Sequence, residues 1–512
     1  MNCITRKQLA KRKKRIQRRL DKTKRWPDQP RPMFAASNIR YELADRTAGL
    51  AVGGIGLVHQ LARRTGLSAA IDERLHLLKQ HKPYHESDHV LNMAYNIMCG
   101  GHCIEDLELL RNDEVYLNAL GAERIPDPTT AGDFCRRFKE SDVEILMDVF
   151  NQVRVKVWKR QPKEFFDEAV VEADGVIVET AGECKEGMDL AYNGKWGYHP
   201  LVVSLANTGE PLFLVNRGGN RPSYEGAAER FDQSLDLCRR AGFRNILFRG
   251  DTDFSQTKHL DRWDAAGARF IFGIDAMSNL KQIADSLDST AWRRLDRKPK
   301  YTVGAQRRCR PRNVKERIVV QREYKNIRLC SEDVAEFAYR PTACRKTYRV
   351  VAIRKNLSVE RGESRLFDDI RYFFYITNDS RKSAAEIVFS ANQRCNQENL
   401  NEQLRNGVRA LRMPTDSLVS NWAYMVMSSL AWTLKAWLAL LLPAKGRWKA
   451  RHQAEKSQVL RMEFRTFLNA FMRVPCQIVR QSRRVIYRLL AWNPWQHVFL
   501  RMADAVRLPL RC

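Results

Sequence analysis

No two cysteines of the 512-residue chain stand in a CxxC arrangement, and all twelve are scattered. That absence argues against a metal or redox CxxC motif, and the scatter points to free thiols in a reducing cytoplasm. The amino-terminal stretch MNCITRKQLAKRKKRIQRRLDK holds no apolar run, so no secretory leader is expected. Acidic residues are in deficit. The 59 Asp and Glu against 88 Lys and Arg leave a formal charge of +29, spread along the chain rather than confined to a tail. Such a field attracts polyanions, nucleic acid first and an anionic membrane surface second. Long apolar runs are also scarce. The exception is LVSNWAYMVMSSLAWTLKAWLALLL at 418–442, where Lys435 is the one charged side chain. Its length would span a bilayer. A lysine well inside it, and the lack of a second run of that length, favour a buried central helix instead.

What is present is enough apolar content, 44%, to bury several cores, which makes the chain multidomain. Residues 1–45 read as a basic arm ending in the breaker-rich WPDQPRPM, able to bind phosphates nonspecifically. Residues 46–160 carry helical periodicity joined by Gly and Pro, with Ser87 and Thr129 or Thr130 as expected N-caps, and suit a helical DNA-binding domain. His81, His85 and His89 are spaced like metal ligands, but Pro83 interrupts the helix that would align them. Cys99, His102 and Cys103 form a similar weak cluster. From 161 to 285 the texture changes. EAVVEADGVIVETAG, HPLVVSLANTG and EPLFLVNRGG read as strands, followed by a helix, the strand NILFRG, a second helix and the strand ARFIFGI. That order is the first part of a ribonuclease-H-like α/β core. Residues 286–370 hold further strand patterns, among them TVGAQRRC, KERIVVQREY and TYRVVAIRKN, and read as a β-rich insertion. The core resumes over 371–445, and 446–512 is expected to be a basic helical region that could track a DNA backbone.

Three carboxylates draw attention. Asp174 lies in the strand VVEADGVIV, where an unpaired carboxylate among valines costs several kcal/mol unless compensated, usually by a divalent cation. Asp251 ends NILFRG, at the strand edge where α/β sheets place their chemistry, with Asp253 as the alternative ligand. Glu398 lies in QRCNQENLNEQLR at helical spacing from Arg394, with Arg405 seven residues beyond it and Glu402 placed as a local partner for Arg405 or as a spare ligand in another register. Together they would form an acidic pocket in a basic chain. Such a pocket suits two Mg²⁺ ions, with Mn²⁺ as a substitute, and in-line displacement at phosphorus. Arg394 and Arg405 would then bind the adjacent phosphates of DNA.

These residues resemble the DDE transposases of bacterial insertion sequences, in the IS-four-like superfamily and most closely the IS-thirteen-eighty type. The resemblance runs from about Gly53 to about Leu440 and is carried by LNMAYNIMCGGHCIEDLELLRND, DPTTAGDFCRRF, EADGVIVET, GYHPLVVSLANTGEPLFLVNRGGN, FRGDTDF and QRCNQENLNEQLR. The family's third acid sits in a pattern of Tyr, two residues, Arg, three residues, Glu, six residues, Lys. Arg394 and Glu398 match it, while Ala391 stands at the Tyr position and Arg405 at the Lys position. The resemblance implies Asp174, Asp251 and Glu398 as the catalytic, metal-binding triad, a ribonuclease-H-like core with a β insertion, and cut-and-paste transposition. The implied partners are double-stranded DNA, both terminal inverted repeats and target, and a second copy in a synaptic homodimer, in a nucleoid-associated cytoplasmic setting without membrane. The rival reading is a noncatalytic DNA-binding relative.

Overall fold

The computed structural model describes residues 3–20, 36, 39–42, 47–180, 182, 184–296, 327–328, 331–356, 359–360, 363–364, 370–481 and 484–507. The expected strands TVGAQRRC and KERIVVQREY lie outside the described residues.

Valine- and phenylalanine-rich segments bounded by Gly and Asn build one nine-stranded sheet. Its strands are β1 (Glu168–Gly175), β2 (Leu201–Leu205), β3 (Glu210–Val215), β4 (Asn245–Gly250), β5 (Arg269–Ile274), β6 (Arg293–Arg294), β7 (Ser331–Tyr339), β8 (Tyr348–Asn356) and β9 (Ile370–Thr377). They lie in the order β6-β7-β8-β9-β5-β4-β1-β2-β3. β1, β2 and β3 form an antiparallel meander, while β4 runs parallel to both β1 and β5. This is the three-strand, helix, strand, helix, strand core expected from the sequence. The β-rich insertion joins this sheet: β9 pairs with β5 and carries β8, β7 and β6 outward as an extension of it.

Alternation along β4 sends Leu247 to one side, into a cluster with Ile271, Val351, Ile387 and Val388, and Phe248 to the other, against Phe231, Trp263 and the main core. The helices that matter here are α1 (Glu86–Cys99), α2 (Glu140–Trp158), α3 (Ala227–Ala241), α4 (Ala384–Asn392), α5 (Cys395–Glu402) and α6 (Leu418–Leu440). α3 packs on β1, β2 and β4; α4 packs on β5, β7, β8 and β9; α5 packs on β1.

α6 is buried along nearly its whole length and packs on α1, α2 and β3. Among the described residues no helix is long and apolar enough to cross a membrane. Three tryptophans tie α6 to the β3 hairpin: Trp422 donates to Leu214 O, Trp432 to Gly209 O at 2.7 Å, and Trp437 to the Glu210 carboxylate at 2.9 Å. Glu210 is fully buried and also accepts from Arg154 Nε at 3.0 Å and Trp158 Nε1 at 2.9 Å. Lys435 is satisfied inside the core by donating to Leu460 O at 3.0 Å, with its ammonium 3.6 Å from the Trp432 ring centroid.

Three further expectations are corrected. Asp127, not Thr129 or Thr130, caps Pro128–Arg136 by accepting from Thr130 N, with proline at the first turn where its missing N–H costs nothing. His85, not Ser87, is the N-cap residue of α1, and the Ser87 hydroxyl instead donates to Asp72 at 2.8 Å. The carboxyl-terminal region is not helical throughout. Cys476–Gln481 and Arg484–Leu489 form an antiparallel hairpin that pairs with Gly49–Leu50. There, alternation half-buries Tyr487 and Leu489 and exposes Ile486 and Arg488, so a period of two overrides the basic, amphipathic composition.

Candidate active site

Neighbouring parallel strands bring their carboxyl ends together, and that is where β1 and β4 deliver Asp174 and Asp251. Glu172 and Arg249 stand opposite each other in the β1–β4 register and form a buried pair, Arg249 Nε donating to Glu172 Oε1 at 2.7 Å. Arg249 also donates to Ser390 O at 2.6 Å, which fixes the end of α4 over this edge. Asp174 lies two residues further along β1. Asp251 follows β4 directly and caps the single turn Thr252–Phe254 through Asp253 N at 3.2 Å.

Arg394, at the start of α5, joins the two aspartates. Its Nη1 donates to Asp251 Oδ2 at 2.6 Å and lies 3.9 Å from Asp174 Oδ1. Burial pushes the Asp174 carboxyl up to about 6 and the Asp251 charge acts in the same direction, while Arg394 and the bonds from Asn401 and Gly175 oppose it. For Arg394 burial works against the charge, yet Asp251 and Asp174, aided by Glu398, hold its pKa above the ordinary value. The second oxygen of Asp174 accepts from Asn401 Nδ2 at 2.8 Å. Asn401 in turn accepts from Gln397 Nε2 at 3.4 Å, and Gln397 is anchored on β2 by the Ser204 hydroxyl. The face that α5 turns to the sheet is thus Arg394, Gln397 and Asn401.

A cavity of about 730 Å³ opens over this edge, lined by Asp174, Asp251, Asp253, His199, Asn401 and Arg405 among others. The sequence-derived candidates divide accordingly. Asp174, Asp251 and Arg394 are brought together. Glu398 is exposed on α5 and is not part of the cavity lining. Arg405 lines the cavity and donates to Ile177 O at 2.6 Å, while Glu402 accepts from Asn406 at 2.7 Å rather than from Arg405. Among the described residues no three His, Cys, Asp or Glu side chains converge as a metal-ligand set. The amino-terminal histidines have other partners: His81 bonds Glu86 at 3.0 Å, His85 stacks on His81, and His89 stacks on Phe134.

Sequence reasoning missed Asn401, Gln397 and His199. Asn401 and Gln397 share the helical face of Arg394, a signal that could have found them. His199 precedes Pro200 at the head of β2, and nothing in that stretch marks it. It is 2% exposed, its Nδ1 lies 2.8 Å from Arg221 O, and burial lowers its pKa. The loop that holds it is organised by Arg217, which donates to His199 O at 2.9 Å and to the carbonyls of Pro222, Ser223 and Glu225. Burial lowers the pKa of Arg217 to about 10, so the cation is retained at neutral pH.

Among solved structures, the chain is similar to a cryo-EM structure of the piggyBac transposase synaptic complex with hairpin DNA. The identity is 8%, with 83% of this chain and 81% of that chain covered, at a TM-score of 0.36. No curated protein matches the chain. A family model described as transposase DDE domain group 1 matches residues 49–509, the whole sheet and its helices included, and the chain therefore belongs to the DDE transposases.

Proposed function

We propose that this transposase cuts DNA strands at the terminal inverted repeats of its element and transfers the freed 3′ ends to target DNA, using divalent metal ions. The observation that carries this reading is the meeting of Asp174 and Asp251 at the carboxyl ends of parallel strands, in a polar cavity, with a cation bridging them. The donor set fits an oxygen-seeking ion. Two carboxylates already draw in the Arg394 guanidinium, and burial leaves Asp174 with a raised pKa that a closer, doubly charged partner would relieve.

Asp174 and Asp251 would hold the metal, with Glu398 from α5 as the third carboxylate. Two Mg²⁺ ions, or Mn²⁺ in their place, would supply Lewis-acid activation of the attacking hydroxyl and neutralise charge at phosphorus. The protein's own part is positional. Asn401 fixes one oxygen of Asp174 and leaves the other toward Arg394. Arg405, at the exposed rim of the cavity, binds a phosphate flanking the scissile one, and Arg394 does the same once released from the aspartates. Joining two ends calls for a synaptic homodimer on double-stranded DNA. The net charge of +29 supports association with the duplex.

The test is nicking of a supercoiled plasmid carrying the reading frame with its flanking DNA, in Mg²⁺ or Mn²⁺. Wild type should cut, and Asp174→Ala and Glu398→Ala should not. Variants that cut as well as wild type would sink the triad. One observation favours the second reading, a noncatalytic DNA-binding relative: Glu398 stands outside the cavity lining. Unchanged DNA affinity with no metal-dependent cutting by wild type would decide for it.

A further inference from the structure

His199 is held at three points. Its backbone N–H donates to Arg217 O at 2.9 Å, its carbonyl accepts from Arg217 Nε, and its ring Nδ1 lies 2.8 Å from Arg221 O. A carbonyl only accepts, so Nδ1 bears the hydrogen, and in the neutral ring Nε2 carries the lone pair. No described side chain or carbonyl bonds Nε2, and the residue lines the same cavity as Asp174, Asp251 and Asp253. It is also close enough to Asp253 to feel that charge. The residue after Asp174 is glycine for a reason of space. A Cβ on Gly175 would lie 2.5 Å from His199 Nε2, so any other side chain would push the ring away from the aspartate-bearing strand. A base oriented from behind by a main-chain carbonyl, in a residue that lines an acidic cavity, is the arrangement general-base catalysis requires.

We propose that His199 is a further catalytic residue, resting on the transposase reading above: its Nε2 takes the proton from the attacking hydroxyl, water in the cleavage step and a DNA 3′-OH in the transfer step. As that proton moves, the new bond from oxygen to phosphorus forms and the bond from phosphorus to the leaving 3′ oxygen breaks. The leaving oxygen takes a proton from solvent, and the imidazolium returns its own to solvent before the next step.

The experiment uses the full chain and the plasmid-nicking assay, with Mn²⁺ affinity read by electron paramagnetic resonance and DNA affinity measured in parallel. His199→Asn keeps an N–H near the Nδ1 position for Arg221 O and removes Nε2. His199→Ala opens space for added imidazole. Both variants should nick about a hundredfold more slowly or worse, bind Mn²⁺ and DNA as wild type does, and His199→Ala should regain rate with imidazole. His199→Gln, which restores a polar atom near Nε2 but no proton acceptor, should remain slow. Three outcomes would overturn the assignment: His199→Asn nicking at the wild-type rate, loss of Mn²⁺ binding in step with the rate, or no rescue by imidazole. A wild-type protein that binds DNA but never nicks would instead remove the reading beneath it, and the assignment with it.

Discussion

At the scale of single residues, the site is a contest for two carboxylates. Arg394 supplies one positive charge to Asp174 and Asp251 where a divalent ion would supply two, so on the metal-dependent reading proposed above the guanidinium and the ion would compete. Arg394→Gln should therefore raise Mn²⁺ affinity in the absence of DNA, measured by titration; an unchanged or weaker affinity would show that the arginine does not hold the ion's place. Asp174 gives a second expectation through linkage. Its folded pKa, pushed up to about 6 by burial, lies above the ordinary value of 3.8, so the folded state holds the proton longer. Stability from this group falls as pH rises from about 4 to 6. Asp174→Asn should remove that fall, stabilise the metal-free protein at pH 7 by about 3 kcal/mol, and abolish the rise in Tm that Mg²⁺ should give wild type if the metal reading proposed above holds. Both aspartates were legible in the sequence because a carboxylate ending an apolar strand is costly and demands a reason. His199 was not, since a lone histidine can be buried with one good bond and leaves no such trace, and Asn401 was marked only by the helical face it shares with Arg394.

At the scale of elements, α6 shows how an apolar helix that resembles a membrane segment is retained in a protein core. Its tryptophan N–H groups anchor it to the β3 hairpin, and Glu210 gathers Arg154, Trp158 and Trp437. Glu210→Ala should cost about 3–5 kcal/mol, since it strands a buried guanidinium; urea unfolding would measure it, and a loss near zero would show that the network carries little. Lys435 sits in the same helix with its pKa lowered to about 7 by burial. Here the unfolded chain holds the proton to higher pH, so this lysine's contribution to stability should grow as pH rises from about 7 to 10. Lys435→Met should be more stable than wild type at pH 7, with the gap closing toward pH 10. The helix itself could be read from its pattern, and so could β1 to β5. The carboxyl-terminal hairpin could not, because its basic composition masks the alternation and one of its strands pairs with Gly49–Leu50, more than 400 residues earlier in the chain.

At the scale of the whole molecule, the charge of +29 makes DNA affinity a steep function of salt, and log K should fall linearly with log salt concentration. A flat response would mean that the excess lysine and arginine do not face the duplex. The nine-stranded sheet was only half legible, for a physical reason: β7 and β8 carry ordinary strand patterns, and whether they form a separate body or lengthen an existing sheet is decided by the β9–β5 pairing alone. That pairing also sets an order in time. Asp174 meets Asn401 across 227 residues of chain and Asp251 meets Arg394 across 143. During synthesis both aspartates emerge before the helix that contacts them. The β extension has to be made in between. A chain released before residue 394 thus carries both aspartates but not Arg394, Glu398 or Asn401, and on the function proposed above it should cut no DNA.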